Sequence, residues 1–186
     1  MRFLTSLTFV VFMHFLGAQE PVRWKLQRSL ISFLSEAPLE RITAQNTRNT
    51  GLLDPVARSF AVQVPISAFE GFNAPLQREH FNENYMVSRT WPNASFAGRI
   101  IESVDLATPG THSVRAKGKL TIHGVEKERI IACKLVIAPD GIRVTSTFDV
   151  AVDDHDIRVP RVVQQKIASV VQITVDMLFE APPKVP

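Results

Sequence analysis

Apolar and polar residues alternate with a period of two along most of the chain. Phe60, Val62, Val64 and Ile66 share one face, with Ala61, Gln63 and Pro65 on the other. The same alternation recurs in Val114, Ala116, Gly118, Leu120 and Ile122, and again in Ile131, Cys133, Leu135 and Ile137. Ile142, Val144, Ser146, Phe148, Val150 and Val152 form a fourth such face, and Val171, Ile173, Val175, Met177 and Phe179 a fifth. A period of two with one polar face marks antiparallel strands that cover a core on one side only. Turn residues separate the runs at Asn49-Thr50-Gly51, His123-Gly124 and Pro139-Asp140-Gly141. Two stretches depart from the alternation. Pro75 to Met86 reads as a helical insert begun by Pro75. Pro160 to Ala168 reads as a second short helix, with Val162, Val163 and Ile167 facing inward. Many short-spaced strands with one insert predict a closed or nearly closed barrel.

The first residues lack this alternation. Arg2 precedes an apolar run from Phe3 to Leu16, and the small residues Gly17 and Ala18 follow. A basic start, a short apolar core and a small-residue exit are the parts of a secretory signal peptide, and the run falls short of the roughly 20 residues that span a bilayer. The chain is therefore expected to divide into a signal at residues 1–18 and a barrel domain at residues 19–186, and to work in the periplasm or as a secreted protein. Composition narrows the function classes. The chain has 186 residues, a net charge of +3 and a single Cys. One Cys excludes an intramolecular disulfide and the zinc sites built on two or four cysteines. The positive charge is nowhere gathered into a run, so nucleic acid is not an expected partner.

Several segments, in order, carry a family resemblance: SEAPLERITA (35–44), GLLD (51–54), HFNENYMVSRTWPNASFAGRI (80–100), GKLTIHGVEKERI (118–130) and FDVAVDDHDIRVP (148–160). From about Trp24 to Phe179 the chain resembles the YceI-like family. That resemblance implies an all-β fold, an eight-stranded antiparallel lipocalin-like barrel with a short helical insert. It also implies a polyisoprenoid or similar long-chain lipid as ligand, with no cofactor, no stable membrane insertion, and a homodimer left open. One departure stands out: Asp153-Asp154-His155-Asp156 takes the place of the Arg-x-Asp-Phe-Gly stretch of many polyisoprenoid binders.

Candidate ligand contacts follow from the apolar residues in and around the insert. Phe69, Phe72, Leu76, His80, Phe81, Tyr85, Met86, Trp91 and Phe96, with Phe148 on its strand face, are expected to line the mouth or wall of a cavity. The same rings would serve equally as a plug in a filled barrel. Arg78, Asn82, Asn84 and Arg89 are the nearest donors for a polar head group. Asp153 to Asp156 is the one tight group of acids with a histidine, and a hydrolytic or other enzyme would need several of them to converge. Successive residues of a strand end point to opposite sides, which favours a solvated turn. No metal spacing links the histidines, Cys133 reads as core packing, and Asn93-Ala94-Ser95 is a common glycosylation triplet. A lipid-binding barrel leads this reading, with an enzyme or a filled-barrel interaction module as alternatives.

Overall fold

The computed structural model describes residues 23–182, so the expected signal segment lies outside the described residues. Nine strands are present among the described residues: β1 (Trp24–Glu36), β2 (Arg41–Asn46), β3 (Thr50–Asp54), β4 (Ser59–Pro65), β5 (Asn93–Ile100), β6 (Gly110–Ile122), β7 (Val125–Ala138), β8 (Gly141–Ala151) and β9 (Val170–Glu180). Each pairs antiparallel with its neighbours, and β9 returns to β1, with Lys25 opposite Glu180 and Leu34 opposite Gln172. The sheet is therefore closed. β2 and β3 both lie on the other edge of β1 and keep one register: Arg41 faces Glu36, Asn46 faces Ile31, and Leu53 faces Trp24. They act as one interrupted strand, which makes the barrel eight-stranded as expected.

Side chains cause that interruption. Asn46 Oδ1 accepts the Arg48 N–H at 2.8 Å, and its Nδ2 donates to the Pro65 carbonyl at 2.8 Å. Asn49 Nδ2 donates back to the Asn46 carbonyl at 2.9 Å. Such bonds offer the backbone an alternative to the ladder. The turn expected at Asn49-Thr50-Gly51 is accordingly shifted, and Thr50 and Gly51 sit inside β3. The β6–β7 turn does occur at His123 and Gly124, whose φ values of 52° and 75° fit a two-residue hairpin loop.

The β1–β2 turn, the β4–β5 connection, the β6–β7 turn and the β8–β9 connection all lie at one end of the barrel. The opposite end is filled. Leu53, Ile100, Leu106, Leu135, Ile137, Ile142 and Phe179 pack together there, with Leu106 1% and Ile142 0% exposed. The expected insert is α1 (Pro75–His80), which widens into a π-type turn over Phe81–Tyr85. The second expected helix is reduced to a single 3-10 turn, Arg161–Val163. Val163 and Ile167 do face inward, but Val162 is 91% exposed, because one short turn buries only part of its circumference.

Candidate functional site

The inward faces of the strands leave a cavity of about 590 Å³. Its wall is built from the alternate positions that the sequence pattern identifies: Val62 and Val64 on β4, Ala116 and Leu120 on β6, Ile131 and Leu135 on β7, Val144 and Phe148 on β8, Ile173 and Met177 on β9. Pleating sends every second side chain inward, so the five alternating runs supply half of its lining residues. Polar wall groups are few. Ser146 Oγ donates to the Ala132 carbonyl at 2.7 Å, and burial pushes the Cys133 thiol up, so the thiolate that could react is disfavoured.

Polar groups gather at one end. Glu40, Gln77, His80 and Lys166 line the cavity there, and among the described residues that line it only His80 and Lys166 are exposed. That pair marks where the cavity meets solvent. Gln77 Nε2 donates to Glu40 Oε1, tying α1 to the β1–β2 turn. The Leu39 N–H donates to the Gln165 carbonyl at 2.8 Å, and the Ala168 N–H to Ser35 Oγ at 3.0 Å, so the β8–β9 connection joins the same rim. Beneath it lies an aromatic cluster. The Phe81 ring stands 5.4 Å from Phe33, nearly parallel to it, and 5.7 and 5.2 Å from Phe69 and Phe72. Burial raises the Tyr85 phenol above its ordinary value.

Eight of the ten candidate contact residues line this cavity: Phe69, Phe72, His80, Phe81, Tyr85, Met86, Phe96 and Phe148. Two do not. Leu76 is 56% exposed on the outside of α1. Trp91 is 42% exposed and lies over the β6–β7 turn, close against Gly124 with its ring edge-on to His123 at 6.5 Å. None of Arg78, Asn82, Asn84 and Arg89 lines the cavity; the polar groups at the mouth are others.

The YceI-like domain family matches residues 24–179, the whole of the barrel just described but for its last residue. The chain belongs to the YceI-like family. Solved structures give the same architecture. A polyisoprenoid binding domain from Saccharophagus degradans implicated in plant cell wall breakdown is similar at 14% identity and a TM-score of 0.74, over 87% of this chain and 99% of that one. Burkholderia cenocepacia BcnA is 15% identical with a TM-score of 0.68, over 81% and 95%. A Campylobacter jejuni YceI protein is 10% identical with a TM-score of 0.55, over 97% and 94%. No curated protein matches the sequence.

In this YceI-like barrel the acidic group does not converge. Val152–His155 forms a 3-10 turn in which Asp153 and Asp154 are exposed while His155 is fully buried. His155 Nδ1 donates to the Val125 carbonyl at 3.0 Å, and the His155 carbonyl accepts from His123 Nδ1 at 3.1 Å, so both rings serve to hold the β6–β7 turn. Among the described residues no three of His, Cys, Asp and Glu come together as metal ligands. The sequence reading passed over Ile31 and Phe33 on β1. Leu26 pairs with Phe179 and Arg28 with Leu178, so a bulge at Gln27 swaps the faces midway along the strand. Trp24 and Leu26 face inward before it, Ile31, Phe33 and Ser35 after it, and no single alternation fits both halves. Glu40, Gln77 and Lys166 were also passed over, because isolated polar residues in turns carry no periodic signal.

Proposed function

We propose that this YceI-like barrel binds one long apolar molecule, an isoprenoid or other long-chain lipid, for transport, storage or sequestration. The observation that carries the reading is the cavity itself, about 590 Å³ of space walled by aliphatic and aromatic side chains. That lies in the usual range of ligand pockets, about 300–1,000 Å³. At the ~30 Å³ that a water molecule occupies in the liquid, it has room for about twenty non-hydrogen atoms. At about 0.8 kcal/mol per buried CH₂, apolar contact alone supplies the affinity. The similarity to a polyisoprenoid binding domain supports the same ligand class. A polar end, where the ligand has one, would rest at Glu40, Gln77, His80 and Lys166, since the deeper wall has little to offer it. The dispersed acids at Asp153, Asp154 and Asp156 favour a binding protein over an enzyme. The segment at residues 1–18 supports export to the periplasm or beyond; protein from its native host should begin near Gln19 on N-terminal sequencing.

Ser146→Phe tests the ligand reading. Ser146 faces the cavity midway along β8, and a ring there takes up about six of the roughly twenty atoms' room, too much to leave space for a long ligand, while costing one hydrogen bond of about 1 kcal/mol. The folded variant should lose binding of N-phenyl-1-naphthylamine, an apolar fluorescent probe, that the parent shows. Equal probe binding by both would reject the cavity as the site.

A further inference from the structure

Three segments frame the mouth, and each carries an outward aliphatic side chain beside a cavity-lining residue. Leu39 precedes Glu40 on the β1–β2 turn and is 67% exposed; Leu76 precedes Gln77 on α1 and is 56% exposed; Val162 precedes Val163 on the β8–β9 connection and is 91% exposed. The backbone bond from Leu39 to Gln165 and the Gln77–Glu40 bond hold the three segments in one rim. Charge on the rim is also uneven. Residues 157–169 contain Arg158, Arg161 and Lys166, all exposed, and no carboxylate. None of the three takes part in an ion pair among the described residues. Exposed carboxylates also stand at this end, Glu79 and Glu83 on the insert and Asp153, Asp154 and Asp156 at the start of the β8–β9 connection, so attraction for anions belongs to residues 157–169 and not to the whole connection or to the net charge of this end.

We propose that this rim docks on the surface of an anionic lipid bilayer, with Leu39, Leu76 and Val162 at headgroup level and Arg158, Arg161 and Lys166 against lipid phosphates. Single aliphatics on separate turns, interspersed with cations, suit an interface of headgroups and acyl chains. A stable protein interface calls instead for a contiguous core rich in aromatic residues. Continuity with the cavity supplies the second argument. A long apolar ligand that crosses water loses about a factor of four in equilibrium for each methylene exposed, whereas a mouth pressed to a bilayer lets it pass without that loss. The proposal rests on the lipid-binding reading for its purpose but not for its test.

The test is flotation of the purified chain with vesicles of phosphatidylcholine and phosphatidylglycerol, and with vesicles of phosphatidylcholine alone. The parent should bind the mixed vesicles, more weakly as salt rises, and bind neutral vesicles less. Arg158→Gln with Arg161→Gln and Lys166→Gln should weaken binding about a hundredfold, at about fivefold per charge. Leu39→Ser with Leu76→Ser and Val162→Ser should weaken it about tenfold. All six side chains are outside the core, so thermal midpoints should stay at the parent value. Val56→Ser is the control, since Val56 is 90% exposed in the β3–β4 turn at the filled end. Failure of the parent to bind mixed vesicles, rim variants that bind like the parent, or an equal loss in Val56→Ser would overturn the proposal. A chain that carries lipid but ignores vesicles rejects docking alone. Vesicle binding by a chain that never takes up an apolar probe rejects the cavity reading alone.

Discussion

Removing the Phe81 ring probes how the insert is held over the cavity. Phe81 contacts three other rings, Phe33, Phe69 and Phe72, at centroid distances between 5.2 and 5.7 Å. Phe33 comes from β1, whereas Phe69 and Phe72 lie in the β4–β5 connection. Phe81 is thus the point at which the π-type turn is fastened to the wall. Phe→Ala in a fully packed site costs about 3–5 kcal/mol. Phe81 is half-buried and borders open cavity, so part of its surface has no packing to lose and about 2–3 kcal/mol is expected. For a chain of this size about 1 kcal/mol shifts the midpoint by 2–4 °C, so Phe81→Ala should melt about 5–10 °C lower. Leu76→Ala on the same insert is the internal comparison. Its side chain lies outside the cavity, and exposed substitutions fall within about 0.5 kcal/mol. Thermal unfolding followed by near-UV circular dichroism measures both, and release of N-phenyl-1-naphthylamine should be faster from Phe81→Ala. A midpoint for Phe81→Ala within 2 °C of the parent would refute the assignment of the ring as the insert's anchor.

Three further perturbations test other parts of the barrel. A Cβ on Gly98 would stand 2.1 Å from the Lys117 carbonyl oxygen and 2.5 Å from Gly118 Cα; backbone cannot yield there, so Gly98→Ala should destabilise by about 1–3 kcal/mol in urea titration, and an unchanged midpoint would mean the β5–β6 approach is looser. Phe148→Asp places a carboxylate on the cavity wall and should cost about 2 kcal/mol or more, with loss of probe binding; a variant equal to the parent in both would put Phe148 on the outer face. His155 is buried with no partner for Nε2, and burial holds its pKa below the ordinary value. Its neutral ring therefore stabilises fully above the unfolded pKa of about 6.5, and that contribution declines as pH falls below it. His155→Asn should flatten the slope of thermal midpoint against pH in that window; an equal slope would clear His155 of the role.

The strands of the second half were legible in the sequence because they carry unbroken alternation over long hairpins. β6 and β7 pair from Gly110–Ile137 to Ile122–Val125 without a bulge, so each inward position follows from its neighbour. β1 was not legible, because one extra residue near Gln27 reverses its faces and hides Phe33. The β2–β3 break was misplaced by a few residues, since it depends on Asn46 reaching Pro65, a contact distant in sequence. In the insert, aromatic content pointed to the cavity, but Leu76 and Trp91 share that composition and face elsewhere. Position on a short helix or loop is decided by docking, and composition alone does not carry it. The mouth polar groups come from three separate connections, so only the closed barrel brings Glu40, Gln77 and Lys166 together.

Mass spectrometry of an organic extract of the purified protein, with the lipid-to-protein ratio counted, tests the central claim most directly. The account predicts a long-chain apolar lipid at up to one per barrel in the parent and its loss in Ser146→Phe. An extract without such a lipid, from a parent that also fails to take one up from an added isoprenoid mixture, would contradict it.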